Sequence, residues 1–185
     1  MIGNDIVDLK QAAKDSNWKR PRFLDKVFTQ KEQSIISSSE NKNQMVWLLW
    51  SMKEAAYKAY VREFKHRFIN PKRIQCQLGL NNEGVVKINQ NIYYLRTLIT
   101  SDYVHSIASN SKEKFPKINL FKFNQIEDVR TRIIHQISNR KDRDLNSIKI
   151  KKTTLGVPNL FLNDVQILEA LSISHHGEYG AFAIC

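Results

Sequence analysis

The chain has 185 residues, 42% of them hydrophobic and 25% charged, the balance of a soluble globular protein with one core or two small lobes sharing one. Lys and Arg outnumber Asp and Glu by 29 to 18, which favours an anionic partner: nucleic acid, anionic membrane, acidic protein or phosphorylated small molecule. No apolar run approaches the roughly 20 residues that cross a bilayer, which excludes membrane insertion through a helix. Cys76 and Cys185 are too few for a disulfide framework or a zinc site, and point to a reducing cytoplasm. The opening MIGNDIVDLK carries two acids and lacks the basic-then-apolar order of a signal peptide.

Ile2 to Val7 reads as a short strand, β-branched and alternating, with Gly3 permitting close backbone approach. Asp5 shares a face with Gly3 and Val7, and an acid inside an apolar strand needs a metal or a cation to offset its desolvation. Asp8, followed by Gln11, has the spacing of a capping box opening a helix over Leu9–Lys14; a ligand role for Asp8 stays open. Arg22 to Thr29 alternates basic with apolar positions. Thr29 and Glu32 form a second capping box that starts a helix through Ile36.

Met45 to Val61, MVWLLWSMKEAAYKAYV, has no Gly or Pro and is predicted as the central helix. At 3.6 residues per turn, Leu48, Leu49, Met52, Ala56 and Ala59 form an apolar stripe. Ser51, Glu54 and Lys58 fall opposite, flanked by Trp47, Trp50 and Tyr57. Aromatics seldom line a fully wet surface, so this face too is expected to be covered. Glu54 and Lys58 are then either an (i, i+4) surface ion pair or a carboxylate and an ammonium held in a site.

Beyond Asn70-Pro71 the pattern changes to strands: Arg73–Leu80, Val85–Asn89, Ile92–Thr100 and Tyr103–Ser109, a β-meander. Ser111 to Lys117 reads as an exposed connection. Asn124 with Glu127 is expected to cap a helix over Gln125–Asn139 that buries Ile126, Val129, Ile133 and Ile137. Ser147–Thr153 and Leu160–Leu162 flank the turn Leu155-Gly-Val-Pro158, and Leu171–His175 and Tyr179–Cys185 close the chain. No sequence repeat is evident, and the fold class is α+β. The adjacent His175 and His176 point to opposite faces of a strand and make a poor chelating pair. No zinc-finger spacing, RNP-like motif, Gly-rich phosphate loop or Ser-His-Asp order is visible.

Four stretches together resemble the 4′-phosphopantetheinyl transferase superfamily, in the order of its compact holo-acyl-carrier-protein synthase branch. They are Ile2-Gly-Asn-Asp-Ile-Val-Asp-Leu9, Arg22-Phe-Leu-Asp-Lys-Val-Phe-Thr29, Trp50-Ser-Met-Lys-Glu-Ala-Ala-Tyr-Lys58 and Ser172-Ile-Ser-His-His-Gly-Glu-Tyr179. Gly156-Val-Pro158 resembles the family's G-K-P turn, with Val157 in place of the usual Lys. The resemblance implies antiparallel sheets packed on the long helix. It also implies transfer of phosphopantetheine from coenzyme A to a serine of an apo acyl or peptidyl carrier protein, releasing 3′,5′-ADP.

By the same resemblance Asp5 and Glu54 are the protein ligands of Mg2+, which takes few oxygens from protein and the rest from phosphate and water. Lys58 matches the lysine that reaches the phosphates. Ser174 and His175 match coenzyme A contacts, and Lys53 and Arg22 are further phosphate or carrier contacts. The basic charge then suits an acidic carrier protein. Residues 65–150 fit the compact branch poorly: they form either an insertion or part of a two-lobed chain, with lobes over 1–110 and 111–185. Two other readings stand beside this one. One is a basic nucleic-acid-binding module with structural Asp5 and Glu54; the other is a carrier-binding homologue without catalysis.

Overall fold

The computed structural model describes residues 1–123, 129–141 and 144–185, with the side chains of 140, 141, 168 and 169 left aside. The chain opens with β1 (Ile2–Asp8), α1 (Leu9–Asp15), α2 (Phe23–Val27), α3 (Gln30–Ser38) and α4 (Lys42–Phe64). A meander of β2 (Ile74–Leu78), β3 (Glu83–Ile88), β4 (Asn91–Ile99) and β5 (Tyr103–Ser109) follows. The second half runs β6 (Lys117–Lys122), α5 (Val129–Lys141), β7 (Ile148–Lys152), β8 (Pro158–Leu162), β9 (Val165–His176) and β10 (Tyr179–Ile184).

The strands form two antiparallel sheets, ordered β1-β5-β4-β3-β2 and β6-β10-β9-β8-β7. In both, the first strand pairs with the last and a helix separates it from the meander. The two halves therefore share one topology, although no sequence repeat announces it. A strand absent from the sequence reading, β6, begins the second half. Its KINLFK is part-covered on both faces, so the one-sided alternation that marks a surface strand is blurred.

The long helix lies across the first sheet and buries Val46, Leu48, Leu49, Met52, Ala55, Ala56 and Ala59. It runs a turn further than Met45–Val61 in the N-terminal direction because Asn41 caps it, accepting from the Gln44 amide at 3.0 Å. At its other end Lys65 adopts a left-handed conformation. β1 sits against this helix at close range: a Cβ on Gly3 would lie 2.1 Å from the Ala55 carbonyl oxygen and 2.6 Å from the Ala59 nitrogen. Only glycine allows that approach.

In the second sheet α5 buries Val129, Ile133 and Ile137, as its period implies; the expected cap at Asn124 and Glu127 lies outside the described residues. Ile2 and Ile107 of the first sheet meet Ala183 of the second, so β1 is packed between α4 on one face and β9–β10 on the other.

The capping boxes divide. Thr29 and Glu32 exchange both hydrogen bonds, at 2.7 and 3.3 Å. Asp8 accepts from the Gln11 amide at 2.9 Å, but the Gln11 side chain donates to Asp15 instead, so Asp8 is a cap without a box. Arg22–Thr29 contains the short α2, entered through Arg22 with φ at 64°. No helix among the described residues is long and apolar enough to cross a membrane.

Candidate functional site

Three elements converge where β1 passes between α4 and β9. Because Gly3 lets β1 lie on the helix, the strand residue two further on, Asp5, faces the same helix. There the Ser51 hydroxyl donates to the Asp5 carbonyl at 3.1 Å. The Lys58 ammonium donates to Asp5 Oδ1 at 2.8 Å and to the Asn4 carbonyl at 2.9 Å. Lys58 thus bridges helix and strand with an ion pair that is largely shielded on the Asp5 side.

Glu54, one turn earlier on α4, is half-buried and has no hydrogen bond or ion pair among the described residues. Burial raises its carboxyl above the usual carboxylate range, and the negative charge of Asp5 raises it further, against the pull of Lys58. Asp5 is raised as well, because burial outweighs its attraction to Lys58. Two carboxylates therefore share one ammonium in a partly dry setting. A like-charge pair of this kind is relieved by a further cation.

Two cavities meet at this point. The first, of about 450 Å³, is lined by Glu54, Lys58, Ser174 and His175, with Arg67, Arg130 and Lys152 adding positive charge. The second, of about 370 Å³, is lined by Asp5, Glu54, His175 and His176 among Phe23, Trp47 and Trp50. Glu54 and His175 belong to both walls. One side is basic and suited to phosphates; the other is apolar with carboxylates at its end.

The donor set fits Mg2+, which takes one or two protein carboxylates and completes its shell with phosphate and water oxygens. No group of three His, Cys, Asp or Glu side chains among the described residues has the arrangement of an all-protein metal cage.

Of the residues singled out in the sequence, Asp5, Glu54, Lys58, Ser174 and His175 lie together around these cavities. Lys53 does not. It is 1% exposed, its ammonium 2.8 Å from Glu32 and bonded to the Pro71 and Ile74 carbonyls. A lysine held by three buried oxygens cannot reach a ligand's phosphates, and its place as a phosphate contact is corrected to a structural one.

Arg22 is exposed and precedes Phe23 of the apolar cavity, but lines neither wall. The surface pair of Glu54 with Lys58 does not form either, since Lys58 turns to Asp5. Asp8 accepts from the Gln11 amide and, at 3.0 Å, from the Glu178 amide. Burial raises its carboxyl, but these backbone donors outweigh it and hold it low. It ties α1 to the β9–β10 turn, where a Cβ on Gly177 would come within 2.3 Å of its oxygen.

The basic residues Arg67, Arg130 and Lys152 escaped the sequence reading. They come from a loop, from α5 and from the end of β7, and only the tertiary fold assembles them. Val157, standing where the family's turn has Lys, is 7% exposed and packs into the core.

The profile of the 4′-phosphopantetheinyl transferase superfamily matches residues 1–108. Among solved structures, the holo-[acyl-carrier-protein] synthase of Thermotoga maritima is similar at 10% identity, over 89% of this chain and 83% of that one, with a TM-score of 0.44. Among curated proteins none matches.

Proposed function

The chain belongs to the 4′-phosphopantetheinyl transferase superfamily, and on that premise we propose that it moves 4′-phosphopantetheine from coenzyme A to a serine of an apo carrier protein. The observation that carries the reading is the wall shared by the two cavities: Glu54 and His175 line both, with Lys58 on the basic side and Asp5, paired to it, on the apolar side. In this reading the nucleotide and its phosphates occupy the basic cleft among Lys58, Arg67, Arg130 and Lys152. The acceptor serine approaches from the side of Trp47 and Trp50.

Asp5 and Glu54 would hold the magnesium ion, which when bound would supply positive charge to offset the charge developing in the transition state. The serine oxygen forms a bond to the phosphorus bearing pantetheine as the bond to 3′,5′-ADP breaks. Its proton passes to Glu54, directly or through a water. Lys58, held 2.8 Å from Asp5, stands beside the leaving phosphate and balances its charge. Ser174 and His175 contact the nucleotide phosphates. The net charge of +11 favours an acidic carrier protein.

The nucleic-acid reading is the weaker one. The Glu54 carboxylate on the wall of the basic cleft, with Asp5 behind it, would repel a phosphate backbone that brings no divalent ion.

The test is mass spectrometry of an apo carrier protein incubated with this protein, coenzyme A and Mg2+. The expected result is a mass gain of one phosphopantetheine that disappears with a chelator and in Glu54→Ala. A gain that persists in Glu54→Ala at near-normal rate would overturn the metal assignment.

A further inference from the structure

We propose that Asn4 is a positioning residue for the ligand cleft: its side-chain amide, held between Ser174 and His105, turns the Ser174 hydroxyl proton outward to meet a phosphate oxygen. The inference rests on the reading of the basic cleft as the coenzyme A site.

Asn4 lies in β1 next to Asp5, but strand alternation sends the two side chains to opposite faces. Asp5 faces α4, whereas Asn4 faces the second sheet and is 0% exposed. Its backbone amide donates to the Ser172 hydroxyl at 2.9 Å. Its side-chain Nδ2 donates to Ser174 Oγ at 3.0 Å and lies 3.4 Å from His105 Nε2. Its carbonyl accepts from Lys58 at 2.9 Å. One residue thereby touches the two groups, Lys58 and Ser174, that enter the basic cleft from different halves of the chain.

The orientation of the amide follows from what its other atom meets. Oδ1 is buried with no partner among the described residues. Turning the amide over would bury an NH2 group there, leaving two donors without acceptors instead of one acceptor without a donor, the costlier arrangement. With Nδ2 toward His105, the imidazole must present a lone pair at Nε2 and carry its proton on Nδ1. Burial, helped by the nearby Lys58 charge, pushes the His105 pKa down to about 4, so the ring stays neutral at physiological pH and can accept.

Ser174 Oγ then receives a hydrogen from Asn4 and keeps its own for another acceptor. Ser174 is 5% exposed and lines the basic cleft. The Ser174 hydroxyl donates to no acceptor among the described residues, and an anion in that cleft can take this place. If Asn4 were merely a satisfied polar residue between two sheets, its removal would weaken the fold without acting through Ser174.

A double-mutant cycle on the full chain separates these roles. Coenzyme A affinity is measured by calorimetry at fixed Mg2+ for the wild type, Asn4→Ala, Ser174→Ala and the double variant, with melting temperatures alongside. Loss of a hydrogen bond to a charged phosphate predicts affinity about tenfold weaker in each single variant. The double variant should bind no more than about twofold more weakly than Ser174→Ala, because Asn4 then has nothing left to orient.

Losses that multiply in the double variant overturn the proposal, as does wild-type affinity in Ser174→Ala. Asn4→Leu, which fills the volume without a donor, should reproduce the Asn4→Ala loss and serves where the smaller residue leaves the fold unstable. Normal coenzyme A binding in a folded Asn4→Leu also overturns it. A wild type that binds no coenzyme A overturns the reading of the cleft itself, a different result from normal binding with an additive cycle.

Discussion

Glu54 has no hydrogen bond or ion pair of its own among the described residues and is only partly offset by Lys58, which makes a stability measurement informative. Its folded-state pKa is raised by burial and by Asp5, so its contribution to stability is complete below the unfolded-state pKa and lost as pH rises through the folded one. At neutral pH the ionised side chain is therefore a liability to the metal-free protein. Glu54→Gln should melt higher than wild type in a chelator at pH 7, by about 2–4 °C for each kcal/mol relieved. Mg2+ should raise the melting temperature of the wild type and not of the variant. Equal Mg2+ stabilisation of both would remove Glu54 from the metal site.

Asp8 titrates with the opposite sign. Its carboxyl is held below its ordinary value near 3.8, so its stabilisation is complete above the unfolded pKa and disappears as pH falls through the folded one. Asp8→Ala should lose about 2 kcal/mol at pH 7, from the cap and the orphaned Glu178 amide together. Denaturation curves at pH 7 and in strong acid check this, since the gap should close below about pH 4. Both acids were legible in the sequence. Their roles separated only when Glu178, 170 residues away in sequence, came within reach of one of them.

Among the elements, α4 was the most legible because a helix announces its faces by period alone. The aromatic flank already implied that Glu54 faced a covered surface. What period cannot show is the partner supplied by another element. Lys53 sits beside Glu54 in a motif that the family resemblance associates with phosphates, yet its ammonium is fixed by Glu32 of α3 and by carbonyls flanking β2. Glu32 itself caps α3 and accepts the Cys76 amide at 2.8 Å. The pair thus joins α3, α4 and β2 in one buried knot.

Lys53→Met should leave the Glu32 charge uncompensated and cost about 3–5 kcal/mol, read from chemical denaturation. The same variant should keep a near-normal KM for coenzyme A at temperatures where it stays folded. A KM raised tenfold in the folded variant would return Lys53 to the ligand's phosphates.

At the scale of the molecule, the identical strand orders of the two sheets were hidden from the sequence because topology repeats without repeating residues. Each half needs only a helix and a meander with suitable apolar faces, and many sequences meet that demand. The consequence is functional, because the basic cleft draws on both halves. Glu54, Lys58 and Arg67 come from the first; Arg130, Lys152, Ser174 and His175 come from the second. The second sheet therefore supplies one wall of this cleft within the chain itself.

Transfer activity per mole of protein should accordingly stay constant on dilution from micromolar to nanomolar, with a sedimentation coefficient of one 21.6 kDa chain throughout. Association through the site would give a different curve. Activity would fall with dilution as the assembly dissociated, in proportion to the fraction of chains still paired. That result would mean that the cleft between the two sheets is only part of the working site, with residues of a second copy needed beside Glu54.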